Sequence, residues 1–349
     1  MKKIRWGILG AGGIADRRTM PGMQLAPHAR IVAVMEVDPE VAEGMRRKYG
    51  ADRCYTEDVA LLADPEVDAV YIASPVAFHA RQAMLAADAG KHILIEKPLA
   101  LSSREGQSIV DHCAKKGVQI AAGLMMRFGS YVNAMREAIA QGRIGEVVSC
   151  FAHFTCWYPD IEGSWRQRKE TAGGGALMDM GIHCIDLIRY VTGQDVRQVA
   201  AMHDTLTFDY EVEDSSTLLM RLEKGTLATV QSNFNIPDEA SLWRLEFFGT
   251  RGRLAGRGVI GQVDGGSVDA VFLDRGGEYN AKQDHGDSVS ATCLEAQLGN
   301  MYAREIESFC LSLIEGKPLE VPAQEAVQGQ RIIEAAYRAN DTGRYENLF

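Results

Sequence analysis

The chain has 349 residues, enough for two domains at roughly 100–200 residues each. Its hydrophobic content of 46% and charged content of 24% suit a globular protein. A net charge of −10 argues against nucleic acid as the main partner and gives no attraction to an anionic membrane. No apolar run approaches the ~20 residues of a membrane-spanning helix. The start, Met1-Lys2-Lys3-Ile4-Arg5-Trp6, enters a strand pattern rather than a cleavable apolar segment. Seven cysteines (Cys54, Cys113, Cys150, Cys156, Cys184, Cys293, Cys310) are scattered without a C-x-x-C pair or metal spacing. Buried thiols in a reducing cytoplasm are the expectation, with no metal.

The first ~120 residues alternate strand and helix patterns. Strands are predicted at Ile4–Leu9, Ile31–Glu36, Ala69–Ala73, His92–Ile95 and Val118–Ala121, as short apolar runs suited to burial on both faces of a parallel sheet. Helices are predicted over Pro39–Tyr49, Phe78–Ala89 and Ser102–Lys116, with Asp38 as a cap and Gly90 and Gly117 as stops. Alternation of this length implies right-handed crossovers and a doubly wound α/β sheet, placed at residues 1–122.

Beyond Gly123 the character changes. A helix pattern covers Tyr131–Gln141, followed by alternating stretches at Val147–Thr155, Ser215–Leu222, Thr226–Asn235 and Leu242–Gly249 that read as antiparallel strands. A long helix pattern covers Ala176–Val191. Arg257–Asp287 is glycine-rich and should form strand edges and loops, and helices over Tyr302–Ile314 and Ala323–Asn340 close the chain. Residues 123–349 are therefore read as a second, α+β domain, with closing helices free to pack on the first.

Two patches carry chemistry in the first domain. Gly10-Ala11-Gly12-Gly13-Ile14-Ala15 follows a strand and opens a helix, the setting of a dinucleotide turn. Gly10 permits the tight turn, Gly12 lets the backbone approach a pyrophosphate, Gly13 and Ile14 present the helix start, and Ala15 is small enough to pack. The next strand ends Val34-Met35-Glu36-Val37-Asp38, and a carboxylate there accepts hydrogen bonds from ribose hydroxyls. It also repels the extra phosphate of NADP, since like charges about 4 Å apart cost about 1 kcal/mol in water and ~4 at intermediate dielectric. With no Lys or Arg following, NAD is favoured over NADP. Glu96-Lys97-Pro98 ends a further strand and should bring Lys97 to the same edge of the sheet.

In the second domain, Gly173-Gly174-Gly175 leads into a helix on which Asp179 and His183 stand four residues apart and share one face. Asp186 and Tyr190 continue a polar stripe. Gly181 in the interior costs roughly 1 kcal/mol relative to Ala, which is easiest to explain if something approaches the backbone there. The stripe alone fits a satisfied buried network as well as a binding site. A metal is not expected, because no further ligand pair lies near in sequence.

In this order, the glycine turn, Glu96-Lys97-Pro98 and the Asp179-x-x-x-His183 helix resemble the glucose–fructose oxidoreductase / inositol dehydrogenase (Gfo/Idh/MocA) family over essentially the whole chain. Ile72-Ala73-Ser74-Pro75-Val76-Ala77-Phe78-His79, Ile144-Gly145-Glu146-Val147 and Glu305-Ile306-Glu307-Ser308-Phe309 add to the resemblance. It implies an N-terminal Rossmann domain and a C-terminal α+β domain with a large open, mostly antiparallel sheet. It implies an oxidoreductase in which Lys97, Asp179 and His183 act beside a nicotinamide, His183 as general base, Lys97 polarising or shuttling protons at the same oxygen, and Asp179 holding a neighbouring hydroxyl. It places Ser74, Pro75 and Glu96 near the nicotinamide ribose, with His79 counted among the cofactor residues and a cis bond before Pro98.

The run Leu124-Met125-Met126-Arg127-Phe128 departs from the family, whose members often carry Asn or Arg ahead of the Arg-Phe pair. Arg127, Trp165 and Arg166 are the candidate substrate contacts, for a small polyhydroxylated molecule: a sugar, sugar acid or cyclitol. Three functions remain open at this point: a dehydrogenase releasing NADH, a redox-neutral enzyme using NAD for transient oxidation, and a cofactor-bound sensor. Too few helix patterns to cover both faces of the second sheet imply a homodimer or homotetramer.

Overall fold

The computed structural model describes residues 2–276, 279, 281 and 291–348, so part of the glycine-rich 257–287 segment lies outside the described residues. The chain divides into two compact units. One comprises Met1–Met125, Ser164–Gly173 and Asn300–Arg331, and the other Met126–Gly163, Gly174–Gly299 and Ile332–Phe349. No helix among the described residues is long and apolar enough to cross a membrane.

The first unit is built on six parallel strands: β1 (Ile4–Leu9), β2 (Ala29–Met35), β3 (Arg53–Tyr55), β4 (Ala69–Ile72), β5 (His92–Glu96) and β6 (Ile120–Gly123). Their order is β3-β2-β1-β4-β5-β6, so the winding reverses between β1 and β4. The strands are buried on both faces, with Trp6, Ile8, Tyr71 and Ile93 fully enclosed, which is why they read as unbroken apolar runs. Helix Pro39–Tyr49 starts at Asp38, whose side chain accepts from the N–H groups of Glu40 and Val41. Helix Met301–Glu315 packs on this sheet, where Phe309 meets Trp6 with ring centroids 5.2 Å apart. The short edge strand β3 is exposed and polar at one end, and it gave no apolar run to read.

The second unit holds β7 (Val147–Thr155), β8 (Val196–Asp204), β9 (Ser215–Leu222), β10 (Leu227–Asn233), β11 (Arg244–Gly249), β12 (Gly252–Arg257), β13 (Ser267–Phe272), β14 (Thr292–Cys293) and β15 (Glu346–Asn347). They form one sheet ordered β14-β13-β12-β11-β7-β10-β9-β8-β15. It is mostly antiparallel, with one parallel pair, β7 on β10. Of these strands β8, β12, β14 and β15 were not foreseen: β8 breaks its alternation with Ala200-Ala201, β12 carries two glycines, and β14 and β15 have two residues each; β13 falls within the 257–287 segment where strand edges were expected.

Helices cover one face of this sheet. Along β9 Leu218, Met220 and Leu222 are buried, while the opposite face presents Leu219 on β9, Leu227 on β10 and Met202 on β8, each at least half exposed. The regular helix expected over Ala176–Val191 is instead a wide turn, Leu177–Gly181, followed by a regular stretch, Ile182–Thr192. Wide turns of this kind are frequent at functional sites.

Candidate active site

In the first unit the glycine turn sits where the strand order reverses. Gly10 has φ +82°, and a Cβ there would lie 2.7 Å from the backbone nitrogen of Ser74, so both conformation and space demand glycine. The Ala73 N–H donates to the Leu9 carbonyl at 2.9 Å, tying the loop after β4 to the end of β1. Gly12 donates its N–H to Glu36 Oε2 at 3.0 Å, and Val37 donates to Glu36 Oε1 at 3.2 Å. The carboxylate at the end of β2 therefore lies against the turn. A Cβ on Gly13 would meet nothing within 4 Å, which leaves open space over the turn. Ile14 is half-buried, and Ala15 is fully buried in the core.

His79 braces the loops after β4 and β5. Its Nε2 lies 2.9 Å from the Ser74 carbonyl and its Nδ1 3.0 Å from the Pro98 carbonyl. Burial pushes the imidazole down to about 4, so it is neutral at pH 7 and donates to one carbonyl at a time. The Ser74 hydroxyl donates to Gln82 Oε1 at 2.5 Å, which orients the loop beside Pro75.

At the end of β5 the Tyr71 hydroxyl donates to Glu96 Oε1, and the Lys97 N–H donates to Glu96 Oε2 at 3.2 Å. The Tyr71 oxygen also meets Thr19 Oγ1 at 2.9 Å. Burial raises the Glu96 carboxyl above its usual range; Tyr71, Lys97 and Arg166 pull it back. Lys97 is half-buried, and the Lys97–Pro98 peptide is cis. Trp165 and Arg166 belong to this unit, on a short turn where the guanidinium lies 4.3 Å over the indole. Glu305 is also here, 4% exposed, raised well above the ordinary range by burial and by the neighbouring Glu96 charge.

In the second unit the helix bearing Asp179 and His183 begins against Glu213. Its carboxylate accepts from Gly175 N–H at 2.9 Å and Leu177 N–H at 3.0 Å, and from the Tyr337 hydroxyl at 2.9 Å. Asp179 is half-buried; His183 is 4% exposed, its ring edge-on to Phe154. The neighbour that Gly181 admits is protein, since a Cβ there would lie 2.7 Å from Leu177 Cδ1 and 3.0 Å from Ser232 Oγ.

Asp186 does not face a ligand with the stripe. It forms a buried pair with Arg127, whose Nε and Nη2 reach its carboxylate at 2.9 and 2.5 Å. The Arg127 guanidinium, expected at the substrate, thus has an internal partner and lies 5.0 Å from the Tyr190 ring centre.

Comparison with known proteins agrees with this arrangement. Residues 4–124 match the oxidoreductase family with an NAD-binding Rossmann fold, and residues 132–255 match the GFO/IDH/MocA C-terminal domain. The D-xylose 1-dehydrogenase (NADP(+)) 2 of Haloferax volcanii is 30% identical over 97% of this chain and 98% of its own length. The chain belongs to the Gfo/Idh/MocA oxidoreductase family. Another relative, the 1,5-anhydro-D-fructose reductase of Ensifer adhaerens, is 31% identical over 76% of this chain and 79% of its own. The crystal structure of the aldose-aldose oxidoreductase from Caulobacter crescentus, complexed with glycerol, superposes with a TM-score of 0.88 at 25% identity, covering 99% of this chain and 100% of that one.

Within this Gfo/Idh/MocA chain, Gly10, Gly12, Gly13, Ile14, Glu36, Ser74, Pro75, His79, Glu96 and Lys97 all fall in the first unit, together with Trp165 and Arg166. Asp179, His183 and Arg127 fall in the second. Sequence reasoning missed Glu213 and Tyr337. Glu213 sits in the acidic run Glu211-Val212-Glu213-Asp214, which reads as an exposed turn, and Tyr337 lies inside an ordinary helix pattern. Glu305 left a signal, a carboxylate on the helix face that Tyr302, Ile306, Phe309 and Cys310 bury, but nothing in sequence joins it to Glu96.

Proposed function

We propose that this protein is an NAD-dependent dehydrogenase acting on a hydroxyl carbon of a sugar, sugar acid or cyclitol. The observation that carries this reading is the edge of the first sheet. The glycine turn abuts the Ser74 loop at the β1/β4 switch point, with open space over Gly13 and Lys97 at the end of the adjoining strand β5. The turn fits a dinucleotide: Gly10 allows the tight bend against the Ser74 loop, the space over Gly13 is open, and Glu36, which takes the Gly12 N–H, stands at the ribose-reading position. NAD, when bound, supplies the acceptor for a hydride.

His183 serves as general base toward the substrate hydroxyl, Lys97 polarises the same oxygen, and Asp179 holds a neighbouring hydroxyl. Positioned proton transfer of this kind is worth about 10²–10⁴-fold. Glu96, Ser74 and Pro75 hold the nicotinamide ribose, His79 keeps their loop in place, and Trp165 and Arg166 offer an aromatic face and a cation to the substrate. The carboxylate of Glu36, followed by Val37 and Asp38, favours NAD over NADP, although one relative named above carries NADP(+) in its name. Assembly is as a homodimer or homotetramer through the uncovered sheet face bearing Met202, Leu219 and Leu227, which light scattering at dilute concentration tests. The reducing cytoplasm is the proposed setting, on the scattered, odd number of cysteines without a C-x-x-C pair.

A panel of sugars, sugar acids and cyclitols, assayed with NAD by NADH absorbance and product analysis, tests the reaction. Turnover of at least one polyol with stoichiometric NADH is the expected result. Product formation without NADH would replace net oxidation by transient oxidation. Inertness toward the whole panel with cofactor bound would favour a sensor. Parallel titration of NAD and NADP should show tighter NAD, and Glu36→Ser should narrow the gap.

A further inference from the structure

We infer that Glu213, assisted by Tyr337, is a positioning residue that fixes the start of the helix carrying Asp179 and His183. This inference rests on the dehydrogenase reading for its effect on turnover, but the clamp itself is independent of substrate. Three donors converge on one carboxylate that is 8% exposed: Oε2 takes the Gly175 N–H, and Oε1 takes the Leu177 N–H and the Tyr337 hydroxyl. The main chain of Glu213 adds a fourth link, its carbonyl accepting from Ala176 N–H at 2.9 Å. Backbone N–H groups at a helix start have no partner within the helix, and an ionised acceptor there makes short, strong hydrogen bonds. Burial and the Glu213 charge push the Tyr337 hydroxyl well above its ordinary value, so it remains a donor.

The glycines report the same contact. A Cβ on Gly174 would lie 1.9 Å from the Tyr337 hydroxyl oxygen, and one on Gly175 would lie 2.0 Å from the Glu213 carbonyl oxygen. Gly174 and Gly175 are therefore glycine because the clamp occupies the space a side chain would need. At the other end of the wide turn, Gly181 rests against Leu177 and Ser232. Asp179 sits between these two anchors, and His183 follows two residues after the second. Releasing the first anchor lets the wide turn relax, and a misplacement of about 1 Å in a catalytic group can cost on the order of 10²-fold in rate.

The test uses Glu213→Gln, Glu213→Asp and Tyr337→Phe in the full-length protein, each checked for folding by circular dichroism. Gln keeps the shape but has a single acceptor oxygen, so its NH₂ group must face one of the two backbone donors. Hydrogen–deuterium exchange of peptides covering 175–183 is read without substrate. Glu213→Gln should raise exchange there at least about tenfold, with β9 and β10 unchanged, and Tyr337→Phe should do so less. With a polyol substrate, Glu213→Gln should lower kcat about 10²-fold while KM for cofactor stays within about twofold, and Glu213→Asp should recover most of the loss.

Selective loss of protection in a protein that turns over no polyol would support the clamp and sink the dehydrogenase reading. Native exchange in a folded Glu213→Gln would overturn the clamp whatever the activity. A kcat that falls only in proportion to the folded fraction would overturn the positioning role.

Discussion

The two glycine-rich segments of this chain look alike in sequence and differ in the space they leave. In the first segment the Ser74 backbone fills the space beside Gly10 and the Glu36 side chain that beside Gly12, while beside Gly13 there is nothing within 4 Å. At Gly174 and Gly175 the space is already filled by the chain's own Tyr337 and Glu213, and at Gly181 by Leu177 and Ser232. The first segment thus leaves one open position, over Gly13, and the second leaves none. A glycine run by itself says only that a side chain would be in the way, not what is in its place.

The sharpest way to test that division is at the side chains each segment presents. Lys97→Met should leave cofactor binding largely intact and cut turnover by at least ~10²-fold, with His183→Asn similar. Near-normal kcat in a folded Lys97→Met protein would make this lysine structural and remove the chemistry from the first unit's sheet edge.

Next in size is the buried pair in the second unit. Arg127→Leu should cost about 3–5 kcal/mol, because it leaves the Asp186 carboxylate buried without its partner. The Arg127→Leu/Asp186→Leu double variant should recover most of that in denaturant melts. A double variant restored in stability but raised many-fold in substrate KM would show that Arg127 also meets the substrate.

The first unit has a pH signature of its own. The folded-state pKa of His79 lies at about 4, below its unfolded value near 6.5, so its contribution is fully present above pH 6.5. That contribution is lost as pH falls from about 6.5 toward 4, and it amounts to roughly 3 kcal/mol over the window. Melting temperatures from pH 7.5 to 4 should fall accordingly, and His79→Gln should flatten the slope. An unchanged slope would mean that His79 opens to solvent at no cost.

The smallest effect compares the glycines directly. Gly175→Ala should destabilise by about 1–3 kcal/mol, since its Cβ meets a backbone oxygen that cannot swing aside. Gly12→Ala meets Glu36 Oε2 at 3.3 Å, the end of a flexible side chain, so stability should hardly move. Cofactor affinity should instead fall by at least about tenfold, because the pyrophosphate loses its close approach. Calorimetric melts and cofactor titration on both variants separate the outcomes, and equal loss of stability would erase the distinction.

The sequence by itself determined the parallel sheet, the position of the glycine turn, Glu36 at the end of β2, Lys97 at the end of β5, and the helix with Asp179 and His183. Each is a local pattern, in which apolar runs, caps and glycines act within a few residues of one another. Strands β8, β12, β14 and β15 and the wide turn at Leu177–Gly181 were not legible, because their conformation is set by neighbours rather than by periodicity. The tertiary structure alone decided what joins residues distant in the chain: Glu213 and Tyr337 at the helix start, Arg127 with Asp186, and Trp165 and Arg166 in the unit of Glu96. A carboxylate in an acidic run and a carboxylate clamping three donors are the same letter, and only burial against particular partners separates them.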